Sequence, residues 1–391
     1  MSLPSSNWNF PTRIWFGNGR IQDLAKACKD QGIKRPLLVT DEGLAGLDFV
    51  NEARQQLQQH ELSHSFYGEV QGNPRAHHVE QAVQLCLQAS CDGIIAIGGG
   101  SALDVGKCVA LMAGQSIALW DLEDSGANWK RAAAEKILPT IAIPTTAGTG
   151  SEVGRAAVIV DEESRSKKII FHPDMMPKIV ISDPELSRGL PPDITAWTGV
   201  DALVHAIEAY CAPGFHPMAE GIALEAIRTI ATWLPVAVSD GDNIEARGHM
   251  LVAASMAATA FQKGLGSIHS VSHVLGALYN THHGLANAVI LPYGLSHNAR
   301  FIDAKMGHLC RVLGLDGQDT GSVIEFLLDL RRRLDIPHTL AELGMDEQDA
   351  VAIGQRAYLD PCTASNARPV DANDLESLFR AALTGDFTIL S

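Results

Sequence analysis

Asp201 and His205 stand four residues apart in Gly199-Val200-Asp201-Ala202-Leu203-Val204-His205-Ala206-Ile207-Glu208, a stretch whose period is helical. Both therefore project from one face. His269 and His273 repeat that spacing on a second helical stretch, and His282-His283 follow Tyr279-Asn280-Thr281. A lone histidine on an apolar helix is usually a satisfied core residue. Here the neighbours are otherwise Val, Ala, Leu and Ile, and burying an aspartate and a histidine among them without partners is costly. A metal ion is the simplest common partner. One carboxylate and three imidazoles form a donor set that suits Fe(II), Zn(II) or Co(II) and needs no thiolate.

A second group of residues suits phosphate chemistry. Gly98-Gly99-Gly100-Ser101 links a buried aliphatic run to a helix that contains Asp104. Glycines there let the backbone approach a pyrophosphate, and the helix N-terminus offers it N–H groups and partial positive charge. The spacing is neither GxGxxG nor a Walker loop. Pro144-Thr145-Thr146-Ala147-Gly148-Thr149-Gly150-Ser151-Glu152 follows another buried run and can hydrogen-bond a ribose, a phosphate or a carboxamide. Asp41 ends an early strand, where an acid accepts a ribose 2′-hydroxyl and repels a 2′-phosphate. Together these features point to NAD rather than NADP.

Elements must hold these groups in place. Strands are expected at 13–16, 36–40, 93–97 and 140–143, and a helix at 19–31. Asn73-Pro74 reads as an N-cap and first helical residue, with the helix running to about Ser90. Continuous apolar strands between helices indicate a parallel sheet covered on both faces. From Pro191-Pro192-Asp193 the pattern is helical: 193–211, 217–237, 243–262, 267–279, 284–300 and beyond. The expected fold is an α/β dinucleotide-binding domain over 1–188 and an all-helical metal-binding domain over 189–391.

The 391 residues carry 30 Lys+Arg against 45 Asp+Glu, a formal charge of −15. That balance argues against nucleic acid or an anionic membrane as partner. The one basic cluster, Arg331-Arg332-Arg333, reads as a solvated helix face. No uninterrupted apolar run approaches the ~20 residues of a membrane span, and the N-terminus lacks the order of a secretory signal. Seven scattered cysteines without a CxxC read as reduced thiols of a cytoplasmic protein.

Four segments together resemble the iron-containing (group III) alcohol dehydrogenases. They are Gly98 to Asp104, Pro144 to Val153, Gly199 to Glu208, and Gly264-Leu265-Gly266-Ser267-Ile268-His269-Ser270-Val271-Ser272-His273 with Thr281-His282-His283-Gly284. The resemblance implies a dehydroquinate synthase-like architecture and a homo-oligomer, a dimer or larger, with the 12–16 strand available to pair between copies. It implies Asp201, His205, His269 and His283 as metal ligands and His273 as a non-ligand catalytic histidine. Cofactor contacts implied are Asn73, Val153, Lys167 and Leu186 beside Asp41, Gly98, Gly99, Gly100, Ser101, Asp104, Thr145, Thr146 and Thr149. The implied metal is Fe(II), with Zn(II) as the alternative. Asn366-Ala367-Arg368 replaces the family's Asn-Pro-Arg.

The implied activity is NAD-linked oxidation of a small primary alcohol, or reduction of its aldehyde, with the metal polarising the substrate oxygen. A variant of this reading takes a hydroxy acid of the 4-hydroxybutyrate or succinic semialdehyde type, with Lys263 meeting the carboxylate; the alternative is that Lys263 points to solvent or pairs with an acid. A non-enzymatic NAD- and metal-binding protein would leave a full ligand set unexplained.

Overall fold

The aliphatic runs of the first half form a parallel sheet in the computed structural model, which describes residues 11–390. The reading of the extreme N-terminus lies outside the described residues. In chain order the elements are β1 (Arg13–Phe16), α1 (Leu24–Asp30), β2 (Pro36–Asp41), α2 (Asp48–Gln59), β3 (Ser65–Val70), α3 (Ala76–Gln88), β4 (Gly93–Gly98) and α4 (Gly100–Met112). β5 (Thr140–Pro144), β6 (Ala156–Asp161), β7 (Ser166–Phe171) and β8 (Ile179–Ser182) follow. Six strands lie in the order β1-β8-β5-β4-β2-β3, all parallel. Alternation divides their side chains: Leu37, Val39 and Ile94 pack on one face, Leu38, Ile95 and Ile97 on the other. The chain leaves β2 toward β3 but leaves β4 toward β5, so the carboxyl ends of β2 and β4 flank a topological switch point.

The start of α3 corrects one local expectation. Asn73 is not an N-cap: its φ is 51° and α3 begins at Ala76, capped by Arg75. That left-handed φ is not the extended conformation of an N-cap, and the Pro74 carbonyl accepts the Val160 N–H at 2.7 Å instead of opening the helix. β6 and β7 form an antiparallel hairpin outside the main sheet. Its strands mix Lys, Ser and Asp with aliphatic residues, so no clean period announces them.

The second unit starts at Leu190. It comprises α5 (Pro192–Cys211), α6 (Pro217–Ser239), α7 (Ile244–Ala260), α8 (Ser267–Tyr279), α9 (His283–Leu313), α10 (Thr320–Arg333), α11 (Ala350–Tyr358) and α12 (Ala372–Thr384). α9 runs past the expected end at 300 and keeps Pro292 within it. α6 is long and apolar enough to cross a membrane by length and composition, although Glu220, Glu225 and Arg228 interrupt it. It packs against α5 and α7. Of the three consecutive arginines, Arg331 is buried rather than solvated; its guanidinium donates to the Val289 carbonyl at 2.9 Å and lies over the Tyr293 ring. Arg332 and Arg333 pair with Asp329 at the surface.

The helices that carry the histidines are anchored at their ends. Lys263 and Lys305 both donate to the Tyr210 carbonyl at the C-terminus of α5, at 3.3 and 2.5 Å, where cations oppose the helix dipole. Both also bond Glu220 Oε1, at 2.6 and 2.9 Å. The first N–H groups of α8 are capped from a distance: Ser267 N–H donates to Asn366 Oδ1 (3.1 Å) and Ile268 N–H to Glu208 Oε1 (2.9 Å). A Cβ on Gly266 would lie 2.7 Å from that Asn366 oxygen and 3.0 Å from that Glu208 oxygen, so only glycine admits both caps.

Candidate active site

α5 carries Asp201, His205 and Glu208 at spacings of four and three, on one helical face. α8 brings His269 to the same point, and His283 opens α9. The ligand atoms of Asp201, His205, His269 and His283 all lie within 4.8 Å of one another. His205 and His269 stack at 4.7 Å between ring centroids, and His283 Nε2 is 3.7 Å from Asp201 Oδ1. The amide nitrogen of Asn287, one turn beyond His283, touches three of them: 2.7 Å from Asp201 Oδ1, 3.1 Å from His269 Nε2 and 3.2 Å from His283 Nε2. Burial drives the His205 ring down to about 4, against the pull of Asp201, so it is neutral near pH 7.

A divalent cation fits this donor set. His205 Nδ1 is buried without a hydrogen-bond partner, and the Asp201 carboxylate and the ring nitrogens of His205, His269 and His283 converge within ligand range. His282 stays outside the cluster: its Nδ1 accepts the Leu285 N–H at 3.4 Å to cap α9, and its ring lies against Trp197. His273 stacks on His283 at 5.2 Å, with its Nδ1 2.9 Å from Asp360 Oδ2.

The sheet unit assembles a separate group at its switch point. Gly98, at the end of β4, has φ 149°, and a Cβ there would meet Asp41 Oδ2 at 2.9 Å and Ala102 at 2.7 Å. Gly98 pairs with Pro144, and Thr145 N–H donates to the Gly98 carbonyl at 3.0 Å, which sets the two loops side by side. A Cβ on Gly99 would come 3.3 Å from Thr146 Oγ1, and one on Gly100 2.9 Å from Thr149 Oγ1. The result is a bare backbone edged by hydroxyls and by Asp41, beneath a helix that no side chain caps. A pyrophosphate suits that cradle. Burial raises the Asp41 carboxyl above the usual aspartate range, although it accepts the Leu44 N–H.

The other expected contacts are more scattered. Ser101 lies in the first turn of α4. Asp104 braces the second loop: it accepts Ser151 Oγ at 2.5 Å and Val158 N–H at 2.8 Å, with Lys107 3.2 Å away. Val153 is buried in the turn after that loop, and Leu186 packs against the core from the turn after β8. Val160 links two more, since it bonds the Pro74 carbonyl beside Asn73 and pairs with Lys167 across the hairpin. Lys168, on the opposite face, is tied to Asp161 (3.1 Å) and Glu123 (3.5 Å).

Comparison with known proteins identifies this combination. Residues 11–184 match the model described as iron-containing alcohol dehydrogenase, and residues 195–383 match the C-terminal model of the Fe-containing alcohol dehydrogenase family. The chain belongs to the iron-containing alcohol dehydrogenase family. It is an NAD-dependent oxidoreductase of the alcohol dehydrogenase type, equipped for a divalent metal. The enzyme is 36% identical over 388 residues to a 4-hydroxybutyrate dehydrogenase of Cupriavidus necator, covering 95% of this chain and 98% of that one. It is 33% identical over 385 residues to an NAD-dependent methanol dehydrogenase of Bacillus methanolicus, covering 97% and 100%. Among solved structures, a 1,3-propanediol oxidoreductase superposes with a TM-score of 0.91 at 31% identity, covering 97% and 100%.

Three residues around the histidines escaped the sequence reading. Glu208 accepts from His269 Nδ1 at 2.6 Å, and its place two turns after Asp201 was a usable signal. Asn287, four residues after His283, carried the same kind of signal. Asp360 had none, because 87 residues separate it from His273. In the enzyme the Lys263 side chain is 2% exposed and committed to Glu220, so it is a structural cation.

Proposed function

We propose that the enzyme interconverts small, uncharged primary alcohols and their aldehydes, with Asp201, His205, His269 and His283 holding Fe(II). The observation that carries this is the convergence of those four ligand atoms within 4.8 Å. A bound divalent ion supplies Lewis-acid polarisation of the substrate oxygen, and NAD supplies the hydride acceptor. The protein's own groups do the rest. Asp41 accepts from ribose hydroxyls, the Gly98–Gly100 backbone and Thr146 and Thr149 hold the phosphates and carboxamide, and Asn73, Lys167 and Leu186 add cofactor contacts. His273 takes up the hydroxyl proton on oxidation and returns it on reduction. Zn(II) competes for the same donors by the affinity order, so availability decides occupancy. The edge position of β1, with Ile14 and Phe16 exposed, supports a homodimer. The seven free cysteines support a cytoplasmic protein.

A hydroxy-acid substrate is the second reading, favoured by the 36% identity to a 4-hydroxybutyrate dehydrogenase. The pairing of Lys263 with Glu220 removes the cation that sequence reasoning offered for the carboxylate. The test is NADH consumption by anaerobically purified protein of known metal content, with butanal and with succinic semialdehyde. Higher kcat/KM for butanal is expected; a clear preference for succinic semialdehyde overturns the neutral-substrate reading.

A further inference from the structure

His269 and His273 sit one turn apart on α8, and each ring meets a buried carboxylate through its Nδ1. Glu208 Oε2 is 2.6 Å from His269 Nδ1, and Asp360 Oδ2 is 2.9 Å from His273 Nδ1. In each carboxylate the second oxygen is already used by a backbone N–H. Ile268 N–H donates to Glu208 Oε1 at 2.9 Å, and Cys362 N–H donates to Asp360 Oδ1 at 2.9 Å. Neither carboxylate can turn without stranding that N–H, so each must present an acceptor to its imidazole. A neutral ring facing an acceptor carries its proton on Nδ1 and leaves the Nε2 lone pair outward. The Asn287 amide agrees for His269, since its nitrogen lies 3.1 Å from Nε2 as a donor would.

We propose that Glu208 and Asp360 are positioning residues that set the tautomers of two neighbouring histidines for different tasks. Glu208 aims the His269 lone pair at the metal position, and Asp360 aims that of His273 at the substrate proton. This rests on the dehydrogenase reading above. Their separate origins make the tasks separable: Glu208 shares α5 with two metal ligands, whereas Asp360 comes from the turn between α11 and the 361–365 segment.

Amide replacements isolate the effect. Glu208→Gln and Asp360→Asn keep volume and one oxygen for the backbone N–H, but turn a donor toward Nδ1 and so reverse the favoured tautomer. In Glu208→Gln the dissociation constant for Zn(II), read by competition with a chromophoric chelator, is expected to rise about 10- to 100-fold. Asp360→Asn is expected to keep the parental Zn(II) and NADH affinities while kcat falls about 10²- to 10⁴-fold. Parental zinc affinity in Glu208→Gln, zinc loss in Asp360→Asn, or parental kcat in Asp360→Asn would each overturn the division.

A measurement on the unaltered protein removes dependence on how the variants fold. Long-range ¹H–¹⁵N spectra of ring-labelled, zinc-loaded protein report tautomers directly, with His273 assigned by its loss in His273→Gln. An Nδ1–H form is expected for His273, and an Nε2–H form overturns the proposal. If the parent enzyme turned over no aldehyde, the dehydrogenase reading would fall, while zinc affinities and ring spectra would still decide the two carboxylates.

Discussion

In the proposed cofactor site, Asp41 is the side chain that chooses between NAD and NADP. Its Oδ2 lies over Gly98, where no Cβ intervenes, and its Oδ1 is held by the Leu44 N–H. Asp41→Ala removes both a ribose acceptor and the charge that repels a 2′-phosphate. Hydrogen bonds to charged groups contribute about 1.5–3 kcal/mol, so kcat/KM with NADH should fall about 10-fold or more and that with NADPH should rise. An unchanged NADH-to-NADPH ratio would remove Asp41 from the cofactor site. Gly100→Ala is the steric counterpart, since the new methyl group would lie 2.6 Å from Thr149 Cγ2. Weaker NADH binding at unchanged metal content is the expected result, measured by fluorescence titration. At this scale residue type and local spacing were informative, because i, i+4 pairs and a strand-end aspartate are defined within a few residues. Asp360 was invisible because nothing local to His273 announces it.

Elements decide which of two adjacent candidates reaches a site. His282 and His283 are equivalent in composition, yet His282 spends its Nδ1 on the first turn of α9 while His283 faces Asp201. Lys167 and Lys168 part in the same way, because a strand sends successive side chains to opposite faces. The junction of α5, α6 and α9 gives a further prediction. Glu220 accepts from Lys263 and Lys305, and although burial disfavours its charge, those two lysines pull its carboxyl below the usual 4.5. A depressed pKa contributes stability above the unfolded value and loses it as pH falls through the folded one. Glu220→Gln should therefore cost roughly 2 kcal/mol at pH 7, less than the ~3–5 of a fully buried pair because Glu220 is partly exposed. The gap in Tm between parent and variant should close below pH 4.5. A gap that persists there would show that the loss is one of packing rather than of charge.

Across the whole molecule, the four converging donors lie in the helical unit and the glycine loops in the sheet unit. Removing the metal with a chelator should abolish aldehyde reduction while NADH still quenches protein fluorescence; retained turnover would sink the metal-dependent reading. Metal restored at about 100 times its dissociation constant should stabilise the folded state by about 2.7 kcal/mol, read as a rise of several degrees in Tm. The α/β order, the helical second half and the types of the converging donors were all determined by the sequence, since burial patterns and helical periods are properties of neighbouring residues. Tertiary structure alone decided that His269 and His283 converge with Asp201 and His205, that Lys263 is spent on Glu220, and that Asp360 backs His273. Those outcomes depend on contacts between segments up to 87 residues apart, where the cost of an unpaired buried group selects the partner and no local pattern can record it.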